Sequence, residues 1–180
     1  PTRTIGKVGQ GLSFDGVNDY VNAGDINAVD GLSQLSVSAW AKTDTLSGGD
    51  ANLRYITAKE GDSVGAIAYI LRMDTSTDLI EFYVGGAGYG RAGATTVMQM
   101  DTWYHIVGTY DGANVRIYIN GVQEEAPAQT GAIGSTTEVI TIGSYSLGNL
   151  RRWDGSIDEV RIYNRALSTD EVKRLYNLGR

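Results

Sequence analysis

Leu35, Val37, Ala39 and Ala41 occupy one phase of a two-residue alternation, and Ser36, Ser38, Trp40 and Lys42 occupy the other. A period of two sends successive side chains to opposite faces, which is the pattern of a half-buried strand and not of a helix. The alternation returns at Val115, Ile117 and Ile119, set against Arg116, Tyr118 and Asn120. Asp111-Gly112 separates that strand from the one that follows Trp103, and Asn120-Gly121 supplies two residues tolerant of positive φ, as a two-residue hairpin turn requires. Further strands are expected near 11–15, 19–23, 53–59, 67–73, 79–84 and 138–142. So many short strands joined by turns predict an all-β, antiparallel sandwich. One helix is expected, over residues 169–178. Ser168 and Glu171 form a capping-box pair, Val172, Leu175 and Tyr176 make an apolar stripe at helical spacing, and Gly179 can end it.

A chain of 180 residues is read as a single domain, 1–180, long enough to bury a core without staples. The 24 glycines and 2 prolines suit many tight turns. The absence of cysteine excludes disulfides and leaves the redox compartment open. A net charge of −6 gives no general attraction for phosphate backbones, so nucleic acid is not an expected partner, while the carboxylate excess makes calcium ligation feasible. No apolar run approaches the length of a membrane span, and residues 1–7 do not read as a secretory signal.

Four segments carry a family resemblance. They are Gly6-Lys-Val-Gly-Gln-Gly-Leu-Ser-Phe-Asp-Gly-Val-Asn-Asp-Tyr-Val21, Leu35-Ser-Val-Ser-Ala-Trp-Ala41, Trp103-Tyr-His-Ile-Val-Gly-Thr-Tyr-Asp-Gly112, and Gly155-Ser-Ile-Asp-Glu-Val-Arg-Ile-Tyr-Asn-Arg-Ala-Leu167. In that order they resemble the strand motifs of laminin-G-like jelly rolls in the concanavalin A-like lectin/glucanase superfamily. The resemblance implies a jelly-roll sandwich of two antiparallel sheets with a short C-terminal helix. It also implies non-catalytic binding of an extracellular glycan by a secreted or cell-surface, lectin-like module. Family members carry a further strand upstream of the Gly6 motif, so this chain is expected to lack the usual first strand and to be a fragment or a trimmed piece. The alternative from another class is an adhesion or spacer module whose partner is protein.

Asp158, an acid at the head of an apolar strand, has two readings. The resemblance to the closing strands of laminarinase-like relatives implies that it ligates a structural calcium ion, with backbone carbonyls completing the shell and Asp15 and Asp19 as neighbours. Read from the residues alone, it accepts hydrogen bonds from a turn backbone. For the glycan, the expected contacts are Tyr55, Tyr89, Arg91 and Tyr145 in or beside the polar loops at 43–52, 85–94 and 143–151, because tyrosine offers both a ring and a hydroxyl and arginine offers several fixed donors. Trp40, which alternates with serines, could line a concave face or lie under a loop.

Catalytic sets are not found. His105 is the only histidine and is read as a hydrogen-bonded core residue. Glu124-Glu125 and Asp158-Glu159 are adjacent in sequence and point to opposite faces, whereas a retaining glycosidase needs two carboxylates about 5–5.5 Å apart on one face. Laminarinase-like relatives supply them with Glu-x-Asp-x-Glu, which this chain lacks. Gly88-Tyr-Gly-Arg-Ala-Gly93 matches a dinucleotide fingerprint in letters only. β-Branched residues follow it where a helix would be needed, so it is read as a glycine-rich sheet connection.

Overall fold

The computed structural model describes residues 1–48, 50–61, 66–86, 88–145 and 150–180. Its strands are β1 (Thr2–Ile5), β2 (Gln10–Asp15), β3 (Val21–Asn22), β4 (Leu35–Thr43), β5 (Leu53–Glu60), β6 (Ile67–Asp74), β7 (Leu79–Val84), β8 (Gly90–Val97), β9 (Tyr104–Tyr110), β10 (Val115–Ile119), β11 (Val122–Glu125), β12 (Ile140–Ile142) and β13 (Asp154–Tyr163), followed by helix α1 (Thr169–Leu178). They form a seven-stranded sheet, ordered β1-β2-β13-β4-β9-β10-β11, and a six-stranded sheet, ordered β3-β12-β5-β6-β7-β8. Every strand pairing is antiparallel, so the architecture is the expected two-sheet sandwich.

The alternation read at residues 35–41 does what it should: Leu35, Val37, Ala39 and Ala41 are fully buried and face the second sheet. Ile106, Ile117 and Ile157 join them from the same sheet, and Ile56, Leu71, Met73, Ile80 and Phe82 answer from the other. The two layers meet closely at Gly108, where an added Cβ would clash with the Phe82 ring. The Asn120-Gly121 turn has φ of 51° and 81°, the double positive φ of a tight hairpin.

Two boundaries differ from expectation. A short strand, β1, precedes the Gly6 motif and pairs with β2. The segment 85–94, expected as a loop, already enters β8 at Gly90. Ala92 and Ala94 alternate inward there, and their small side chains gave a weak hydrophobic signal. Helix α1 spans the expected residues, and both halves of its capping box form between Ser168 and Glu171.

Helix α1 and the segment leading into it pack on the central part of the outer face of the seven-stranded sheet. Val172 and Leu167 pack on Val107 and Tyr118. Ser36 Oγ donates to Arg165 O and accepts from Leu167 N.

Candidate functional site

The outer face of the six-stranded sheet carries a different chemistry. Arg72 on β6 stands directly beside Tyr55 on β5 and Glu81 on β7, and Tyr83 on β7 stands beside Arg91 on β8. Each lies between residues that point into the core. Arg72 is flanked by buried Leu71 and Met73, and Glu81 by buried Ile80 and Phe82. The strand period therefore forces these polar groups outward onto one surface.

They are tied together. Glu81 Oε2 accepts from Arg72 Nε at 2.9 Å and from the Tyr83 hydroxyl at 3.1 Å. Glu81 Oε1 accepts from Arg91 Nε at 2.8 Å. Arg72 Nη2 donates to the Tyr83 hydroxyl at 2.8 Å, with its guanidinium 4.4 Å from that ring's centroid. Beside this group, Arg151 Nη1 donates to the Tyr55 hydroxyl at 2.8 Å and lies 4.8 Å from the Tyr145 ring. Tyr55 and Tyr145 meet edge to face at 5.9 Å. Burial, aided by the negative charge of Glu60, pushes the Tyr55 phenol up to about 12. The hydrogen bond to Glu81 raises the Arg91 guanidinium above its ordinary value. Tyr55 and Glu81 are buried within this network, so its accessible part is the half-exposed Arg91 with the half-buried Arg72, Tyr83 and Tyr145, which can donate hydrogen bonds and offer ring edges.

Of the residues expected to touch a glycan, Arg91 is half exposed on this face and Tyr145 is half-buried at its edge, whereas Tyr55 is 0% exposed, packed beneath Arg151 and Tyr145, so its ring is not presented to a ligand. Tyr89, 47% exposed, stands two positions before Arg91. Gly49, Ala87 and residues 146–149 of the expected loops lie outside the described residues. Trp40 is elsewhere. It projects from the outer face of the other sheet, 3% exposed, stacked on Tyr176 of α1 at 5.7 Å and tilted against His105 at 5.1 Å. The alternation with serines placed it on an outer face correctly, but α1 covers that face, so Trp40 is packing and not a sugar platform. Arg72, Glu81, Tyr83 and Arg151 were missed. A charged residue between buried apolar neighbours in β6 and β7 was the available signal for the first two.

His105 is buried, with Nε2 3.1 Å from Ser38 Oγ, and burial, followed by the charge of Arg161, lowers it to about 4. Asp158 Oδ2 accepts from Val8 N at 2.8 Å and Oδ1 from Glu159 N at 2.7 Å. It thereby clamps the Gly6–Gly9 turn onto β13, and a Cβ at Gly6 would lie 2.4 Å from Oδ2. Asp15 Oδ1 accepts from the backbone of Val17, Asn18 and Asp19, which holds its carboxyl below the usual range, and Asp19 Oδ2 accepts from Asp15 N. Asp15 pairs in register with Asp154, four positions along β13 from Asp158 and therefore roughly 13 Å away. The three acids do not converge, and among the described residues no three carboxylate or histidine side chains are grouped to hold an ion. The donors around Asp158 fit a turn clamp; a calcium ion there rests on the resemblance and would have to displace the Val8 N–H.

A cleft of about 650 Å³ lies apart from this surface, beside β12, lined by Asn27, Asp30, Ala66, Thr136 and Glu138, with no aromatic ring.

The family model of the concanavalin A-like lectin/glucanases superfamily, Laminin_G_3, matches residues 15–173. The chain belongs to this superfamily. Three solved structures of similar fold set the superfamily member in context. Domain 4 of AbnA, an extracellular arabinanase from Geobacillus stearothermophilus solved with arabinotriose, superposes with a TM-score of 0.75 at 18% identity, over 99% of this chain and 81% of that one. The CBM40 of the Ruminococcus gnavus IT-sialidase, bound to α2,3-sialyllactose, gives 0.70 at 13% identity, over 92% and 96%. The heptameric SAP-like pentraxin of Limulus polyphemus gives 0.67 at 18% identity, over 91% and 80%. At these identities the likeness is one of fold. No curated protein matches the chain in sequence. No helix among the described residues is long and apolar enough to cross a membrane.

Proposed function

We propose that this superfamily member is a non-catalytic carbohydrate-binding module that acts outside the cell, and that the outer face of its six-stranded sheet is the binding surface. The observation that carries the reading is the grouping of Tyr83, Tyr145, Arg72 and Arg91 on the outer face of the six-stranded sheet, held in place by the buried Glu81 and Tyr55. Sugars present apolar ring faces and edges of hydroxyls, and a surface of tyrosine rings and fixed guanidinium donors matches both. Two similar folds, the arabinanase domain and the CBM40, were solved with oligosaccharides, which supports the same use here. The state of Glu81 supports binding without turnover: both its oxygens are held by guanidiniums, so it is not placed as an acid or nucleophile. The structural calcium near Asp158 remains a separate proposal.

The test is retention on a glycan array by the wild-type chain and by Tyr89→Ala and Arg91→Ala variants, with melting as the fold control. Retention should drop in both variants while the melting temperature stays nearly constant. Binding unaffected by either change would remove the surface from consideration. Release of reducing sugar from a polysaccharide panel would overturn the non-catalytic reading. Capture of a protein, with no glycan bound, would favour the adhesion module.

A further inference from the structure

We infer that the outer face of the six-stranded sheet takes neutral sugar residues and discriminates against carboxylated or sulfated ones. The inference rests on the glycan-binding reading above and specifies its substrate class. Three guanidiniums on the face suggest the opposite preference at first sight, but each is already committed. Arg72 and Arg91 share Glu81, whose carboxylate is 5% exposed and sits between them. Arg151 is spent on the Tyr55 hydroxyl and the faces of Tyr55 and Tyr145. Glu125, whose carboxylate accepts from the Gly93 N–H of β8, adds a second acid on the strand that carries Arg91.

Further negative charge surrounds the cluster. Glu60 acts on the Tyr55 phenol. Asp74, held low first by the Ser76 hydroxyl, also feels the charges of Arg72 and Arg91. Arg72 and Arg91 thus share Glu81, Asp74 stands two positions from Arg72 on β6 and Glu125 lies on the Gly93 N–H of β8, within a chain whose net charge is −6. A sugar carboxylate would have to displace Glu81 or approach like charges in a partly desolvated site, and either costs binding energy. Neutral hydroxyls avoid both penalties, since they can accept from the outer N–H groups of Arg91 without disturbing Glu81. Arg91, half exposed yet locked by Glu81 on its inner edge, is oriented to present its outer N–H groups to such hydroxyls.

The experiment pairs glycans that differ in charge: lactose against α2,3-sialyllactose, and galactan against polygalacturonate, at low ionic strength. The neutral member should bind more tightly by about tenfold in each pair, and salt should narrow the gap. Glu81→Gln keeps the shape of the side chain and removes its charge, so it should reduce the neutral preference several-fold, about threefold or more, at the level of a single screened charge. Melting of this variant is measured alongside. If it fails to fold, Glu125→Gln, at an exposed position, carries the same expectation. A wild-type preference for the acidic member, or an unchanged ratio in a folded Glu81→Gln protein, would overturn the inference and leave the glycan reading standing. Failure to bind any member of either pair would overturn both.

Discussion

The Arg151 guanidinium donates to the Tyr55 hydroxyl at 2.8 Å, across 96 positions of sequence, and so joins the segment before β13 to a strand in the interior of the six-stranded sheet. Arg151 reaches this position from a backbone with φ of 56°, a conformation that its surroundings must stabilise.

The two side chains are expected to be energetically coupled. Tyr55→Phe removes the acceptor and leaves the ring, and Arg151→Ala removes the donor and the ring contact. A double-mutant cycle by denaturant unfolding should return a coupling of about 1 kcal/mol, within the range for hydrogen-bonded neighbours. A coupling near zero would mean that the pair does not order the surface.

His105 makes stability depend on pH in a defined window. Its folded value is depressed to about 4, first by burial and then by Arg161, while an unfolded histidine titrates near 6.5. Between those values the unfolded chain binds the extra proton, so stability rises with pH across the window and is lost as pH falls from about 6.5 to about 4. The full contribution is on the order of 3 kcal/mol. Thermal melts of the wild type and of His105→Gln across this range should differ in slope, with the variant flat where the wild type climbs. Equal slopes would show that another group titrates.

The sandwich was legible because its strands are written in large apolar residues at period two, as at Val37, Ile117 and Leu71, and because Asn120-Gly121 and Ser168 with Glu171 spell their own geometry. β8 was not legible, since Ala92 and Ala94 pack tightly through small size and leave little hydrophobic contrast. Half of the surface could be named in advance because Tyr55, Arg91 and Tyr145 stand near loops. The remainder could not, because Arg72 and Glu81 acquire meaning only when β6 and β7 pair and set them side by side. Trp40 shows the converse: its phase on β4 could be read, but the covering of that face by α1 is a tertiary event.

Gly108 should tolerate no side chain. It sits on β9 facing the other sheet, and an alanine Cβ would fall 2.1 Å from Phe82 Cγ. Neither the ring nor the sheet backbone can yield that distance without shifting neighbours, so Gly108→Ala should destabilise by about 1–3 kcal/mol or more through overpacking. Pairing it with Phe82→Leu should recover part of the loss, and absence of any recovery would place the strain elsewhere.

Asp158 offers the sharpest separation between a turn clamp and a metal ligand. Its two oxygens receive the N–H groups of Val8 and Glu159, and Glu159 itself adopts φ of 50° where the β13–β4 register shifts. Asp158→Ala leaves both N–H groups without their acceptor and releases the Gly6–Gly9 turn, at a cost of about 2–3 kcal/mol. Asp158→Asn keeps one acceptor oxygen and turns an amide toward the other donor, so it should fall between the two. These losses should be the same size in chelator and in excess calcium, because the hydrogen bonds need no ion. A wild-type melting temperature that climbs with calcium, and climbs only while Asp158 is present, would instead establish the ion that the closing-strand resemblance implies, since a ligand bound to the native state alone stabilises by about 2.7 kcal/mol at a hundredfold excess over its dissociation constant.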